Sequence, residues 1–166
     1  MKHNAPQIDI SIIDKSYYIT LMKTIDNYGV LFFNSLESAQ KQHKKYINAK
    51  LSTNGISITL DQWQVLDIIV NHIDIKQTEI AQKTSKDTAS VTRIIEILNS
   101  KGWVARQIDP ENRRKHILRV SNAGEREYHR ATEIIIKYSN AAVEGIKEKR
   151  IRKLKKIFKT ISRNCS

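Results

Sequence analysis

Apolar residues recur along this chain with two periods, one near 3.6 residues and one of two, and their order predicts the architecture. The longer period runs from residue 17 to residue 51, which is typical of one long amphipathic helix. Its apolar positions are Tyr18, Leu21, Ile25, Tyr28, Phe32, Ala39 and Tyr46, and a second apolar set widens the stripe. A helix that buries two faces lies between its own domain and another subunit, so this stretch predicts a dimerisation helix.

A polar break at residues 52–55 precedes three shorter helical stretches. Thr59 and Gln62 have the spacing of a capping box at the start of the first. The second covers residues 77–83, and the third covers residues 86–101, after a capping signal at residues 84–87, and ends at Gly102. Their predicted buried positions are Trp63, Leu66, Ile69, Val70, Ile80, Ala81, Val91, Ile94, Ile95 and Leu98. The short connection between the last two stretches predicts a helix-turn-helix.

Two alternating segments, residues 103–108 and 115–120, then predict a β-hairpin. Ser121 is placed to cap a further helix that reaches about Gly145, and a last helix covers about residues 147–163. In that last helix Ile151, Leu154, Phe158 and Ile161 have the spacing of a seam for another helix. The predicted fold is therefore mainly α with a small β-hairpin wing. It consists of a winged helix-turn-helix domain at residues 56–120, flanked by dimerisation segments at residues 1–55 and 121–166.

The total net charge of the chain overstates the positive charge of the predicted winged helix. The formal net charge is +12, which favours an anionic partner such as nucleic acid. Residues 59–120 carry only +2, from ten basic and eight acidic residues, whereas residues 147–166 carry +8, from nine and one. Most of the excess lies outside the segment predicted to read DNA.

Several other classes of protein are disfavoured. No apolar run reaches the roughly 18 residues of a membrane span, and the first residues lack a signal-peptide core. One cysteine, Cys165, fits a reducing cytoplasm. The five glycines are isolated and no catalytic motif is present, so neither an enzyme nor a cofactor is expected. The five histidines are scattered without metal-ligand spacing, so no metal is expected either.

The third helical stretch has small and hydroxyl-bearing residues opposite its apolar face. Such residues let a helix approach base edges closely, and an arginine among them donates two hydrogen bonds to guanine or holds a phosphate. The candidate DNA contacts are Lys86, Thr88, Ala89, Ser90, Thr92 and Arg93. The alternative is a solvated amphipathic helix without a ligand.

The hairpin loop concentrates positive charge beside that helix. Arg113, Arg114 and Lys115 lie at or near its tip, where guanidinium groups reach an adjacent minor groove. The alternative is a solvated charge cluster on an exposed turn.

About 65 residues resemble the MarR family, the multiple-antibiotic-resistance type of regulators. The matching segments are LDQWQVL at 60–66, TEIA at 78–81, ASVTR at 89–93, LNSKGWVAR at 98–106, DPENRR at 109–114 and VSNAG at 120–124. The resemblance implies an obligate homodimer whose winged helices each read half of a pseudo-palindromic operator in double-stranded DNA, with Ser90, Thr92, Arg93 and Arg113 as the leading contacts. It also implies that Arg106, Asp109 and Asn112 brace the wing.

Two positions depart from the family pattern. Asn112 stands where the family usually has Asp before the paired arginines, so a charge that would orient a neighbouring arginine is absent. Lys76 stands where the family favours Ser or Thr as a helix cap, and Asp74 is the expected substitute.

The resemblance also suggests a small anionic aromatic effector. Tyr17, Tyr18, Tyr28 and His43 lie on the helix that would line its cleft, although aromatic residues on a long helix are more often core. The leading hypothesis is a cytoplasmic, nucleoid-associated, sequence-specific transcription regulator, a repressor by family analogy. The alternative is a winged helix kept as an architectural or protein-interaction module with little sequence specificity.

Overall fold

The structure, a computed structural model, describes residues 28–108 and 116–166. It contains six helices and two strands in these ranges. They are α1 (Tyr28–Thr53), α2 (Leu60–Asn71), α3 (Gln77–Thr84), α4 (Thr88–Ser100), β1 (Val104–Ile108), β2 (His116–Val120), α5 (Asn122–Ala142) and α6 (Glu148–Asn164). The predicted mainly helical fold with a hairpin is confirmed. The chain divides into two compact units, Met1–Gln42 and His43–Ser166.

In the first unit the described residues are the first part of α1, and they present apolar side chains to solvent. Tyr28 is 75% exposed, and Val30, Leu31 and Phe33 are each about half exposed. The rings of Phe32 and Phe33 meet edge to face, 5.4 Å between centroids. These side chains give the described part of the unit an apolar surface.

The second unit encloses one hydrophobic core, to which every described element of the unit except α6 contributes. Its largest fully buried side chains are Ile47, Leu51, Leu66, Ile80, Ile95, Leu98, Val65, Val91 and Val104. The first two belong to α1, and Ala131 and Ile135 of α5 join the same cluster. The core therefore combines the winged helix with parts of the helices on both sides of it in sequence.

Local sequence signals fix where the helices of the helix-turn-helix begin. The Thr59 hydroxyl accepts the Gln62 amide at 3.3 Å, and the Gln62 side chain accepts the Thr59 amide at 3.1 Å, so the predicted capping box is present. Helix α3 ends at Ser85 in the left-handed conformation, with φ 53°. Asp87 caps α4 two residues later.

The junction between α4 and the wing depends on two glycines. Gly102, at φ 69°, ends α4 as predicted, and the amides of Gly102 and Trp103 donate to the carbonyls of Asn99 and Leu98, both at 2.9 Å. Gly124, in the first turn of α5, lies so close to the wing that a Cβ there would be 2.2 Å from the Trp103 carbonyl oxygen. Ser121 caps α5 by accepting the Gly124 amide and also donates its hydroxyl to the Gly102 carbonyl at 2.6 Å.

The wing strands pair antiparallel from Val104 opposite Val120 to Ile108 opposite His116. Ile117 and Leu118 of β2 are both buried, although successive residues of a strand point to opposite faces. The predicted hairpin is therefore present, but both of its faces are covered at this point.

Helix α5 is joined to α2 by aromatic and polar contacts. The Trp63 indole Nε1 donates to the Thr132 hydroxyl at 2.9 Å, and the Tyr128 hydroxyl donates to Asp67 at 2.7 Å. The Trp63 and Tyr128 rings are parallel, 6.3 Å between centroids. Burial, helped by the hydrogen bond to Asp67, raises the pKa of Tyr128, so its phenol stays protonated at neutral pH.

Helix α6 has no buried residue. Of its four predicted seam residues, Leu154 and Phe158 are exposed at 40% and 37%, and Ile151 and Ile161 are half-buried. Their role as a seam for another helix stays a prediction. No helix in residues 28–108 and 116–166 is both long and apolar enough to cross a bilayer.

Candidate nucleic-acid interface

The solvent side of α4 carries a row of exposed side chains, called the ridge below. Thr88, Ala89 and Arg93 are exposed on it, as is Glu96 one turn further. The ridge begins with the two smallest of these side chains, so the backbone of the first turn is accessible to a ligand. Glu96 was not among the predicted contacts. Its spacing from Ala89 and Arg93 was the signal, and a carboxylate there is able to accept from the cytosine amino group.

Ser90 does not offer a free hydroxyl. Asp87 accepts both its amide, at 2.7 Å, and its hydroxyl, at 2.6 Å. These hydrogen bonds, first the side-chain one and then the backbone one, lower the pKa of the Asp87 carboxyl. In this structure Ser90 is exposed and completes the cap of α4, and its predicted DNA contact stays a prediction.

Thr92 is half-buried and contacts α3. Its half-buried hydroxyl donates to the Thr88 carbonyl at 2.9 Å and lies 3.0 Å from the side-chain oxygen of Gln77 on α3. It joins the two helices of the helix-turn-helix. Gln77, which the sequence analysis did not single out, sets this side of α4 by the same contact.

Lys86 lies before α4 rather than on it, because the helix begins at Thr88 after its Asp87 cap. The Lys86 ammonium donates to Asp61 Oδ1 at 2.6 Å, and its side chain is only 19% exposed. The other oxygen of the same carboxylate pairs with Lys44 of α1. The prediction of Lys86 as a recognition-helix residue is therefore wrong in its placement.

Asp61 is the centre of this ionic cluster. Burial acts to raise its pKa, but the hydrogen bonds and charges of Lys44 and Lys86 outweigh that effect and hold the pKa of the carboxyl below its usual value. The cluster ties α1, the first turn of α2 and the turn before α4 to one point. Sequence patterns gave no signal for it, because its three members are 17 and 25 residues apart.

An open groove of about 550 Å³ runs beside the first turns of α4. Its lining includes Lys44, Thr59, Gln62, Ser90 and Arg93. Both carboxylates of the groove, Asp61 and Asp87, already have partners. Among the described residues Arg93 has no carboxylate partner, which leaves its guanidinium available to a ligand.

The cap of α3 and the base of the wing also differ from expectation. Asp74 does not cap α3. It adopts φ 56° and pairs with Arg119 of β2 at 2.8 Å, while Glu79 accepts the Lys76 amide at 2.9 Å. The ion pair ties the loop before α3 to the wing.

Arg106 is exposed on β1, opposite Leu118. The predicted wing contacts Arg113, Arg114 and Lys115, and the predicted bracing residues Asp109 and Asn112, lie outside the described residues. Their roles, and that of Arg106, stay predictions.

The predicted effector residues fall in different parts of the chain. Tyr17 and Tyr18 lie outside the described residues, and Tyr28 is largely exposed in the first unit. His43, in the second unit, has Nε2 3.1 Å from the Ser139 hydroxyl on α5. An effector cleft stays a prediction. No group of three or more possible metal ligands occurs in residues 28–108 and 116–166.

Comparison with solved structures identifies the class of fold. The chain resembles the transcriptional repressor CouR bound to a 23-mer DNA duplex, with a TM-score of 0.72, 21% identity and coverage of 84% of this chain and 97% of that one. It resembles a mutant MarR from E. coli complexed with operator DNA at a TM-score of 0.73, 20% identity and coverage of 82% and 97%. It resembles the transcriptional regulator BldR from Sulfolobus solfataricus at a TM-score of 0.71, 18% identity and coverage of 84% and 98%. The fold is that of the winged helix-turn-helix proteins.

The sequence comparisons show a resemblance over part of the chain. Residues 58–116 match the model described as the MarR family. The chain is also 31% identical over 67 residues to the HTH-type transcriptional regulator YdgJ of Bacillus subtilis, a match that spans 40% of this chain and 41% of that protein. The resemblance to the MarR family predicted from the sequence is confirmed over residues 58–116. The matches are to transcription regulators, in agreement with the expectation that the chain is not an enzyme.

Proposed function

We propose that this protein is a homodimeric transcription regulator that reads a pseudo-palindromic operator in double-stranded DNA. The observation that carries the proposal is the exposed ridge of α4, where Arg93 lacks a carboxylate partner among the described residues and stands beside the small residues Thr88 and Ala89. A helix of this kind fits the major groove, and an arginine on it reads guanine or clamps a phosphate. The DNA-bound relatives support the same use of the fold.

Selection from a random duplex pool, followed by competition at physiological salt, tests this function. The selected operator should bind about 10³-fold or more tightly than random duplex. Arg93→Ala should weaken operator binding about 10- to 100-fold, by the range for a bidentate base contact. Lys83→Ala, a charge change on exposed α3, serves as the matched control. Equal affinity for both duplexes would refute sequence-specific reading.

The dimer is proposed from two surfaces on which large apolar side chains are exposed. One is on the first part of α1, at Tyr28, Val30, Leu31 and Phe33. The other is the apolar side of α6. Light scattering should give twice the 19.2-kDa chain mass, and Leu154→Glu should yield monomers with weakened operator binding, because a half-operator is then read alone. A wild-type monomer would refute this part.

We also propose repression, release by a small anionic aromatic effector, and a cytoplasmic location on the nucleoid. Repression follows the DNA-bound relative described as a repressor. Benzoate serves as the probe for the effector, and it should lower operator affinity in the wild type but not in His43→Ala. Equal loss in both variants would place the ligand elsewhere.

The architectural alternative keeps one observation in its favour, the net charge of only +2 over residues 59–120. An architectural module binds all duplexes alike. The competition experiment therefore separates the two functions.

A further inference from the structure

Helix α6 carries a continuous line of positive charge on the side away from its apolar residues. Lys149, Arg152, Lys153 and Lys156 follow one another at steps of three, one and three residues, so their side chains are neighbours on one face. All four are exposed, and together they line a shallow depression of about 340 Å³. These four residues are called the basic stripe below.

The charge of the basic stripe is hardly compensated within the structure. Among the described residues only Arg152 has a carboxylate partner, Glu148 at 3.0 Å, in an exposed pair four residues apart. Exposed pairs of this kind stabilise little. Residues 147–166 contain nine basic residues and this one acidic residue.

Helix stability does not account for the arrangement. Cations favour the carboxyl end of a helix, but the basic stripe lies in its first half, nearer the positive end of the helix dipole. Lys149 with Lys153, and Arg152 with Lys156, are like charges four residues apart, which destabilise a helix. A negatively charged partner would remove both penalties.

We infer that the basic stripe binds a second segment of duplex DNA through its phosphates, independently of α4. The inference rests on the proposed function, in which a second copy of the chain covers the apolar side of α6. An anionic membrane would need that apolar side for insertion, whereas a duplex needs only the charged side and supplies closely spaced phosphates. Lysine contacts of this kind carry no base information, so the second segment has no required sequence.

A dimer with two copies of the basic stripe would link its operator to neighbouring DNA. Immobilised operator duplex, loaded with protein, is tested for retention of a fluorescent random-sequence duplex. The variant is the triple substitution Lys149→Gln, Lys153→Gln and Lys156→Gln. The matched control removes three positive charges elsewhere, by Lys41→Gln, Lys45→Gln and Lys137→Gln.

We expect the wild type and the control to retain the second duplex, and the triple variant to lose about tenfold or more of it while its operator affinity stays within about twofold. Removal of three phosphate contacts should lower the salt slope for the second duplex by about 0.9 per contact. Circular dichroism checks that α6 stays helical.

Retention by the triple variant at the wild-type level would overturn the inference, as would a wild type that retains nothing. Binding of the wild type to vesicles rich in phosphatidylserine, without retention of duplex, would assign the stripe to membranes instead. An Arg93→Ala background separates this inference from the proposed function. There, operator preference should fall, while binding of random duplex should persist and then drop when the triple substitution is added.

Discussion

The winged helix and α6 differ in how they use charged residues. In the winged helix Asp61 holds two lysines, Asp87 holds the start of α4, and Asp74 holds Arg119. In α6 eight basic residues follow Lys147, and one ion pair is present among the described residues. Charges in the first region therefore position backbone and helix ends, whereas those in the second remain available for a partner. Net charge alone therefore does not indicate the region that we propose reads DNA.

Truncation of a core leucine should show the largest difference between the regions. Leu98 is fully buried, so Leu98→Ala should lower the free energy of unfolding by about 2–5 kcal/mol. Leu154→Ala, at a 40% exposed position of α6, should cost much less in the monomer and should instead weaken self-association. Urea denaturation at several protein concentrations measures both. Equal costs at high dilution would mean that α6 is packed in the monomer.

Loss of Arg93 should have the next largest effect, on DNA binding rather than stability. Arg93→Lys keeps the charge but not the two-pronged donor, so it should retain random-duplex affinity and lose about 1–3 kcal/mol on the operator. Fluorescence anisotropy with both duplexes measures this. If the operator and random duplexes weaken together, Arg93 contacts only phosphate.

The capping box of α2 should contribute less to the free energy of unfolding than the buried Leu98 does. Thr59→Ala removes the acceptor for the Gln62 amide and should lower the free energy of unfolding by about 1 kcal/mol. Thr59→Ser keeps the oxygen and is the control. An alanine variant as stable as the serine variant would show that the cap stabilises nothing measurable.

The smallest effect should be on the pH dependence of stability. Because the pKa of Asp61 is lowered in the folded protein, its contribution is present above the unfolded-state pKa and is lost as the pH falls through the folded value. The stability difference between the wild type and Asp61→Asn should thus shrink between about pH 5 and pH 3. Asp74→Asn, another carboxylate with an ion pair, is the comparison. A difference that is constant with pH would mean that the lysines do not stabilise the charged form.

Features encoded by neighbouring residues could be predicted from the sequence. The Thr59 capping box, the left-handed Gly102 and the Ser121 cap each depend on partners within three or four residues, and all three are present. The apolar period likewise predicted that Val91, Ile95 and Leu98 are buried.

Side-chain orientation at the interface could not be predicted in the same way. Lys86 is held by Asp61, 25 residues earlier, and Arg119 by Asp74, 45 residues earlier. Pairings over such separations do not show in the spacing of residue types along the sequence. Ser90 shows a different difficulty. Its acceptor, Asp87, is only three residues away. Asp87 caps α4 only if the helix starts at Thr88, and the sequence alone does not determine that start.

Each of the two tryptophans of this chain lies at a contact between two elements, which we call a joint. Trp63 stacks on Tyr128 between α2 and α5, and the Trp103 ring lies 4.5 Å from the Lys101 ammonium between α4 and β1. Indole emission depends on the polarity and quenching groups around the ring, so each joint has a natural optical reporter. A ligand that alters one joint should change the fluorescence of the unlabelled protein, and replacement of either tryptophan by phenylalanine would tell which joint responds.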